Sequence, residues 1–125
     1  MSRLKTKICG MREPDNVKAV AALEPDFMGY IFYSGSPRFV GNNPSEEIFN
    51  LRGIGKIGVF VNESHMRITE AVKRFGLDGV QLHGSESVRD CEKLRSDIPK
   101  LMVIQAIGVA SVRDLDRAAN YQNVC

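Results

Sequence analysis

Short apolar runs alternate with longer amphipathic segments along the whole chain. The runs are rich in branched and aromatic residues, as strands are, while the segments between them repeat apolar residues at helical spacing. Strands are predicted at residues 4–9, 27–33, 56–61, 79–83 and 101–107. The pattern therefore predicts one unit, a strand followed by a helix, repeated five times.

The predicted helices carry start and stop signals. Pro14 and Pro44 stand at first helical positions, where the amide that proline lacks would be unpaired in any case. Side chains that can cap a helix precede three of the segments: Asn43, Ser64, and Ser111 with Asp114. Gly76 is placed to end the third helix. The apolar face predicted for the fifth helix consists of Leu115, Ala118 and Ala119.

Single helices between successive strands imply right-handed crossovers and a parallel sheet, so the fold class is α/β. Two architectures share this local pattern. An open, doubly wound, flavodoxin-like sheet of five strands suits a chain of 125 residues. A closed eight-stranded barrel needs roughly 200 residues or more. Length alone therefore favours the open sheet.

Polar residues concentrate on one face of the predicted strands. The residues with this distribution are Lys5, Lys7 and Cys9 on the first strand, Gln81 and His83 on the fourth, and Gln105 on the fifth, opposite Ile104 and Ala106. Both faces of a doubly wound sheet are covered by helices and should be apolar. A polar face instead suits the lumen and rim of a barrel, where catalytic groups lie at the carboxyl ends of the strands.

Composition and charge exclude several classes of protein. With 43% hydrophobic and 26% charged residues, the chain is typical of a single globular domain. Its 17 basic and 15 acidic side chains are scattered and give a net charge of only +2, which argues against a nucleic-acid partner and a membrane surface. No apolar run approaches the ~20 residues that a membrane-spanning helix needs.

The chain has three cysteines, Cys9, Cys91 and Cys125. Because they are odd in number and far apart in the sequence, they predict neither a disulfide framework nor a metal site. A reducing cytoplasm is the compartment that suits them best.

Cys9 is the first candidate for chemistry. Lys7 precedes it by two residues on the same face, and a thiol beside a cation ionises more readily. Such a cysteine is a candidate base or nucleophile, although most free cysteines are small buried hydrophobes. Spacing alone leaves these two interpretations equal.

Arg38 and His83 are two further candidates. Arg38 follows a Ser-Gly-Ser-Pro turn after the second strand, and its guanidinium group would suit a carboxylate, although a solvated loop arginine is the commoner case. His83 ends the fourth strand at the same predicted rim as Cys9. It is a candidate acid, base or hydrogen-bond donor, or equally a packed histidine bound to a neighbouring backbone group.

Linked motifs make the pattern specific. They stand at residues 7–12 (Lys-Ile-Cys-Gly-Met-Arg), 29–32 running into 36–38, 57–62, and 80–86 (Val-Gln-Leu-His-Gly-Ser-Glu). Together, in this order and spacing, they resemble the phosphoribosylanthranilate isomerase family. Residues 105–109 also resemble that family's fifth strand, although the family often has lysine where Gln105 stands.

The resemblance implies a fold and a reaction. The family is a (β/α)8 barrel of the TIM-barrel type that carries out the Amadori rearrangement of N-(5′-phosphoribosyl)anthranilate in tryptophan biosynthesis, without a cofactor or metal. Its substrate is a small phosphorylated molecule. Cys9 matches the general base that removes the sugar C2′ proton, and Arg38 matches the arginine that binds the anthranilate carboxylate. His83 matches a histidine of the active-site wall, with Lys7 and Gln81 expected to bind substrate beside it.

The resemblance also implies that parts of the enzyme lie outside the chain. Residues 1–125 would form a single incomplete barrel domain of five βα units. The family's general acid, an aspartate at the end of the sixth strand, and its phosphate-binding loops would follow Cys125. We therefore expect the chain alone to be inactive and to self-associate through its open barrel edges. The alternative function is a non-catalytic, flavodoxin-like binding module.

Overall fold

The computed structural model describes residues 3–125, in which strands and helices alternate along the chain. The elements are β1 (Lys7–Ile8), α1 (Pro14–Ala21), β2 (Phe27–Ile31), a 3-10 helix (Glu46–Phe49), β3 (Gly55–Phe60), α2 (His65–Phe75), β4 (Gly79–Leu82), α3 (Val88–Asp97), β5 (Met102–Gln105) and α4 (Val112–Ala119). Within these residues no helix is long and apolar enough to cross a membrane.

The five strands form one parallel sheet in the order β1-β2-β3-β4-β5. A doubly wound sheet reverses its strand order near the middle, so that its helices cover both faces. The order observed here has no reversal, and right-handed crossovers then place every helix on the same face of the sheet. This topology is that of five consecutive units of a βα barrel, and it excludes the open flavodoxin-like sheet.

The hydrophobic core lies between the helices and the face of the sheet that they cover, which we call the outer face. Along each strand, residues that point to the outer face alternate with residues that point to the opposite face of the sheet, which we call the inner face. Met28, Tyr30, Val80 and Leu82 are fully buried in this core. Burial of a side chain such as Leu82 contributes about 1.5–3 kcal/mol.

Several predicted helix signals are confirmed. Pro14 is the first residue of α1. The Ser64 hydroxyl caps α2 by accepting a hydrogen bond from the Arg67 amide at 3.3 Å, and Gly76 ends that helix in a left-handed conformation with φ 63°. At the start of α4 the Asp114 carboxylate accepts from the amide of the capping residue Ser111 at 3.0 Å.

The second predicted helix is wrong. The segment forms only a four-residue 3-10 helix, and Ser45 rather than Asn43 caps it, its hydroxyl accepting from the Glu47 amide at 3.3 Å. Ile48 and Phe49 are its buried residues. Two adjacent buried positions do not form the stripe of an amphipathic α-helix, so burial favours the shorter element.

The strands are shorter than predicted, and one predicted helix face is not buried. β1 contains only two residues, and Leu4, at its predicted start, is 93% exposed. In α4 none of the residues is buried, and Leu115 is 56% exposed. The predicted apolar face of α4 therefore exists in the sequence, but within residues 3–125 it does not contribute to the core.

Candidate functional site

Four of the predicted polar residues lie on the inner face: Lys7, Cys9, Gln81 and His83. Gln81 pairs in register with Val59 and Ile104, whereas Leu82, on the outer face, pairs with Phe60. At the other end of the sheet, a methyl group built on Gly29 would come within 2.9 Å of Cys9 Sγ and 3.2 Å of Lys7 Cε. Cys9 and Lys7 therefore lie side by side over Gly29, where only glycine leaves them room.

Gln105 does not belong to this face. It pairs in register with Leu82, which is buried on the outer face. Its side-chain amide donates to the Ala106 carbonyl at 3.2 Å, and its oxygen lies 3.9 Å from the Cys91 thiol of α3. The prediction that Gln105 joins the polar inner face is wrong. Alternation along one strand shows which residues share a face, but it does not show which of the two faces is the inner one.

Arg38 lies at the rim where β1 ends. Gly10 follows Cys9 with φ 81°, a conformation that favours glycine, and the Met11 amide then donates to the Gly29 carbonyl at 3.0 Å. A methyl group built on Gly10 would come within 2.8 Å of Arg38 Cδ and 2.9 Å of a guanidinium nitrogen. The loop after β2 thus places Arg38 against Gly10, the residue that directly follows the predicted base Cys9.

The loop that carries Arg38 is held by its own hydrogen bonds. The Ser36 hydroxyl accepts from the Arg38 amide at 3.1 Å, and the Ser36 carbonyl accepts from the Phe39 amide at 3.1 Å. The Val40 amide returns to the Ile31 carbonyl at the end of β2, at 2.8 Å. The predicted turn is therefore present, and both ends of the loop are anchored near the sheet.

His83 extends β4 at the same rim. Its amide donates to the Phe60 carbonyl at 2.9 Å, so the alternation of β4 continues past Leu82 and His83 shares the inner face with Gln81. The His83 residue is exposed. Neighbouring strands are ~4.8 Å apart, so β4 lies about 14 Å from β1 along the sheet. The predicted residues form two groups at one rim, one around Cys9 and one around His83.

The three cysteines have different environments. All are free thiols, with Cys91 buried, Cys9 half-buried and Cys125 exposed. Burial, and to a smaller extent the nearby Cys125, raise the pKa of Cys91 to about 12. Cys91 therefore stays protonated at neutral pH as a packed core residue, whereas Cys9 stands at the rim beside a lysine.

Glu86 is the residue that sequence reasoning missed. It is only 7% exposed. Its two carboxylate oxygens accept from the Asn62 amide at 2.7 Å and from the Gly84 amide at 2.8 Å, which joins the loops after β3 and β4. Glu86 stands within the motif at 80–86, but nothing in the sequence indicated that this carboxylate is buried.

No group of three or more His, Cys, Asp or Glu side chains within residues 3–125 is arranged to hold a metal ion. The predicted site residues at the rim offer a thiol, two cations, an imidazole and a side-chain amide, those of Cys9, Lys7 and Arg38, His83, and Gln81. Such groups can transfer protons and bind carboxylates, phosphates and hydroxyls.

Comparison with known families gives a match over most of the chain. A family model described as N-(5′-phosphoribosyl)anthranilate (PRA) isomerase matches residues 6–125. An N-(5′-phosphoribosyl)anthranilate isomerase from Phocaeicola vulgatus is 40% identical over 119 residues, which are 95% of this chain and 56% of that protein. One from Thermotoga neapolitana is 38% identical over 121 residues, or 95% of this chain and 58% of that protein.

Solved structures agree with the sequence comparison. A phosphoribosyl anthranilate isomerase in complex with reduced 1-(o-carboxyphenylamino)-1-deoxyribulose 5-phosphate superposes with a TM-score of 0.88 at 32% identity, covering 97% of this chain and 62% of that one. A structure of monomers generated from the dimeric phosphoribosylanthranilate isomerase of Thermotoga maritima gives the same TM-score at 30% identity, with the same coverage. The chain thus spans little more than half the length of the proteins that it matches.

Proposed function

The chain belongs to the N-(5′-phosphoribosyl)anthranilate isomerase family, and from this premise we propose that the protein converts N-(5′-phosphoribosyl)anthranilate to 1-(2-carboxyphenylamino)-1-deoxyribulose 5-phosphate in tryptophan biosynthesis. The observation that carries the proposal is the close approach of Arg38 to Gly10, the residue that follows Cys9 at the carboxyl end of β1. Such a rim is where enzymes of this fold bind their substrates.

Cys9 is the proposed general base. The rearrangement requires a proton to be removed from the sugar C2′ after the ring has opened to a Schiff base, and a thiolate at the rim can accept it. Lys7 lies beside Cys9 over Gly29, where its cation can bind an anionic part of the substrate.

Arg38 is the proposed ligand for the anthranilate carboxylate. A guanidinium group donates two parallel hydrogen bonds to a carboxylate, which fixes both the position and the plane of the aromatic ring. The anchored turn around Ser36 supports this role because it limits the positions that the Arg38 backbone can take. Gln81 and His83 are proposed to bind the opened sugar with their side-chain hydrogen-bonding groups.

The general acid and the phosphate-binding loops are proposed to belong to the remaining part of the barrel, which this chain does not contain. More than two fifths of each matched relative lies outside the part that this chain covers. The acid is an aspartate at the end of the sixth strand, and it would protonate the ring oxygen to open the ring before Cys9 removes the proton from C2′. The 125-residue chain is therefore proposed to be inactive alone, and its free thiols suit a cytoplasmic location.

The decisive experiment tests the full-length protein in a host that lacks its own isomerase. We expect it to restore growth without tryptophan and, when purified, to consume N-(5′-phosphoribosyl)anthranilate in a fluorescence assay. The 125-residue chain should do neither. A full-length protein without isomerase activity would refute the proposed function, and activity of the short chain would refute the division of the site between its two parts.

A further inference from the structure

Glu86 is a buried acid that the proposed reaction does not use. It lies past the end of β4, at 7% exposure, and each of its carboxylate oxygens accepts one backbone hydrogen bond. The donors, the amides of Asn62 and Gly84, belong to the loops after two different strands. A buried carboxylate that accepts one hydrogen bond at each oxygen acts as a bridge between the two loops.

A second hydrogen bond crosses the same junction in the other direction. The Asn62 side-chain oxygen accepts from the Ser85 amide at 2.7 Å. Asn62 itself has φ 50°, a left-handed conformation that asparagine adopts more readily than other non-glycine residues. A methyl group on Gly84 would come within 2.5 Å of the same Asn62 oxygen, so the two loops are in close contact.

The bridge is also anchored to the last helical segment. The Tyr121 hydroxyl, just beyond α4, donates to the Glu86 carbonyl at 2.6 Å. On the other side of the junction, the amide of His83 is bound to the Phe60 carbonyl, and the next amide along the chain, that of Gly84, is bound to the Glu86 carboxylate. The backbone of His83 is therefore fixed at two successive points.

We propose that Glu86 is a positioning residue for the isomerase reaction: its carboxylate locks the ends of β3 and β4 together and thereby sets the place of His83 at the rim. The inference rests on the proposed function. It requires a carboxylate and not merely a polar side chain, because two amide donors point at two different oxygens. Glutamine offers one acceptor oxygen and turns its own N–H group toward the other donor, which leaves that backbone amide without its hydrogen bond.

The test compares three variants of the full-length protein. Glu86→Gln keeps the size of the side chain but loses one acceptor, and Glu86→Asp keeps both acceptors on a shorter stem. Glu92→Gln, at an exposed position of α3, is the matched control for the loss of one negative charge. For each variant we would measure kcat, KM, the thermal midpoint, and hydrogen exchange at the amides of Asn62 and Gly84.

The expected result is a loss of turnover in the folded protein. Glu86→Gln should lower kcat at least about tenfold with KM within about threefold, since a small misplacement of a rim residue affects the reacting geometry more than ground-state binding. Exchange at both amides should become at least about tenfold faster. Glu86→Asp should recover part of kcat, and Glu92→Gln should match the unmodified protein.

Two results would overturn the inference. One is a Glu86→Gln protein with normal kcat, whether or not its thermal midpoint falls, because Glu86 would then serve stability alone. The other is unchanged exchange at Asn62 and Gly84, because the bridge would then not hold the loops. If the unmodified protein has no isomerase activity, the proposed function fails, and the exchange measurement still decides whether Glu86 locks the rim.

Discussion

Arg38 lies directly over Gly10, so close that a methyl group at Gly10 would come within 2.8 Å of Arg38 Cδ. Gly10 also has φ 81°, which other residues adopt only with strain. One glycine thus serves both the turn that follows Cys9 and the position of the side chain proposed to bind the substrate carboxylate.

Gly10→Ala should therefore weaken substrate binding as well as stability. We expect KM to rise about tenfold because Arg38 is displaced from its place, and stability to fall by roughly 1–2 kcal/mol because of the positive φ. Steady-state kinetics and urea unfolding of the full-length protein measure the two effects. Gly53→Ala is the matched control: Gly53 has φ 73°, and a methyl group there meets no atom within 4 Å. Equal KM values in the two variants would contradict the prediction.

Cys9→Ser should lower kcat by two or more orders of magnitude while KM changes little. A hydroxyl is a far weaker acid than a thiol and is not available as an anionic base at neutral pH, whereas the contacts that bind the substrate are retained. Cys125→Ser, at an exposed thiol, provides the control. A Cys9→Ser protein with nearly normal turnover would remove Cys9 from the mechanism.

Arg38→Ala should act mainly on KM. A charge-assisted pair that is present in both the ground state and the transition state contributes about 1.5–3 kcal/mol, so a rise of roughly ten- to hundredfold in KM is expected. Arg38→Lys should recover only part of this loss, because an ammonium group cannot bind a carboxylate through two parallel hydrogen bonds. An unchanged KM in Arg38→Ala would make Arg38 an ordinary loop residue.

Tyr30→Phe should be less stable than the unsubstituted protein at neutral pH, and this difference in stability should shrink at alkaline pH. The buried Tyr30 hydroxyl donates to the Ile48 carbonyl at 2.6 Å, and deleting it leaves the carbonyl unpaired, at a cost of about 1–2 kcal/mol. Burial raises the pKa of Tyr30 above its ordinary value near 10. As the pH rises past about 10, only the unfolded chain therefore releases this proton. The free energy of unfolding of the unsubstituted protein then falls by up to ~1.4 kcal/mol per pH unit.

Urea unfolding at pH 7 and at about pH 11 checks this prediction. The difference in free energy of unfolding between the native protein and Tyr30→Phe should shrink by about 1 kcal/mol at the higher pH, because phenylalanine has no proton to lose. Tyr33→Phe, at a side chain that is 42% exposed, is the control. A difference that stays constant with pH would show that Tyr30 ionises equally in both states.

The 125-residue chain should self-associate through the edges of its sheet. β1 and β5 are the two outer strands, and each pairs with only one neighbour within residues 3–125. Unpaired strand edges template pairing with another chain. Met102→Lys, on β5 at 42% exposure, should weaken the association, while Met66→Lys, on α2 at 67% exposure, should not. Sedimentation that shows a cooperatively folded monomer would contradict this prediction.

The sequence by itself determined the local structure of this protein. The alternation of apolar runs and helical stripes, the capping serine at position 64 and the glycine at position 76 all act between residues close together in the chain, and the structure confirms them. The same is true of the position of Cys9 and His83 just beyond strand ends. The linked motifs also predicted the family.

Only the tertiary structure decided how distant segments meet. The sheet order, the placement of Gln105 on the outer face and the burial of Glu86 each depend on pairings between residues about twenty or more positions apart in sequence. The spacing of strands and helices along the chain is the same in an open sheet and in a barrel, because it does not show which strand lies beside which. The contact of Gly10 with Arg38 has the same origin, since two loops become neighbours only when β1 pairs with β2.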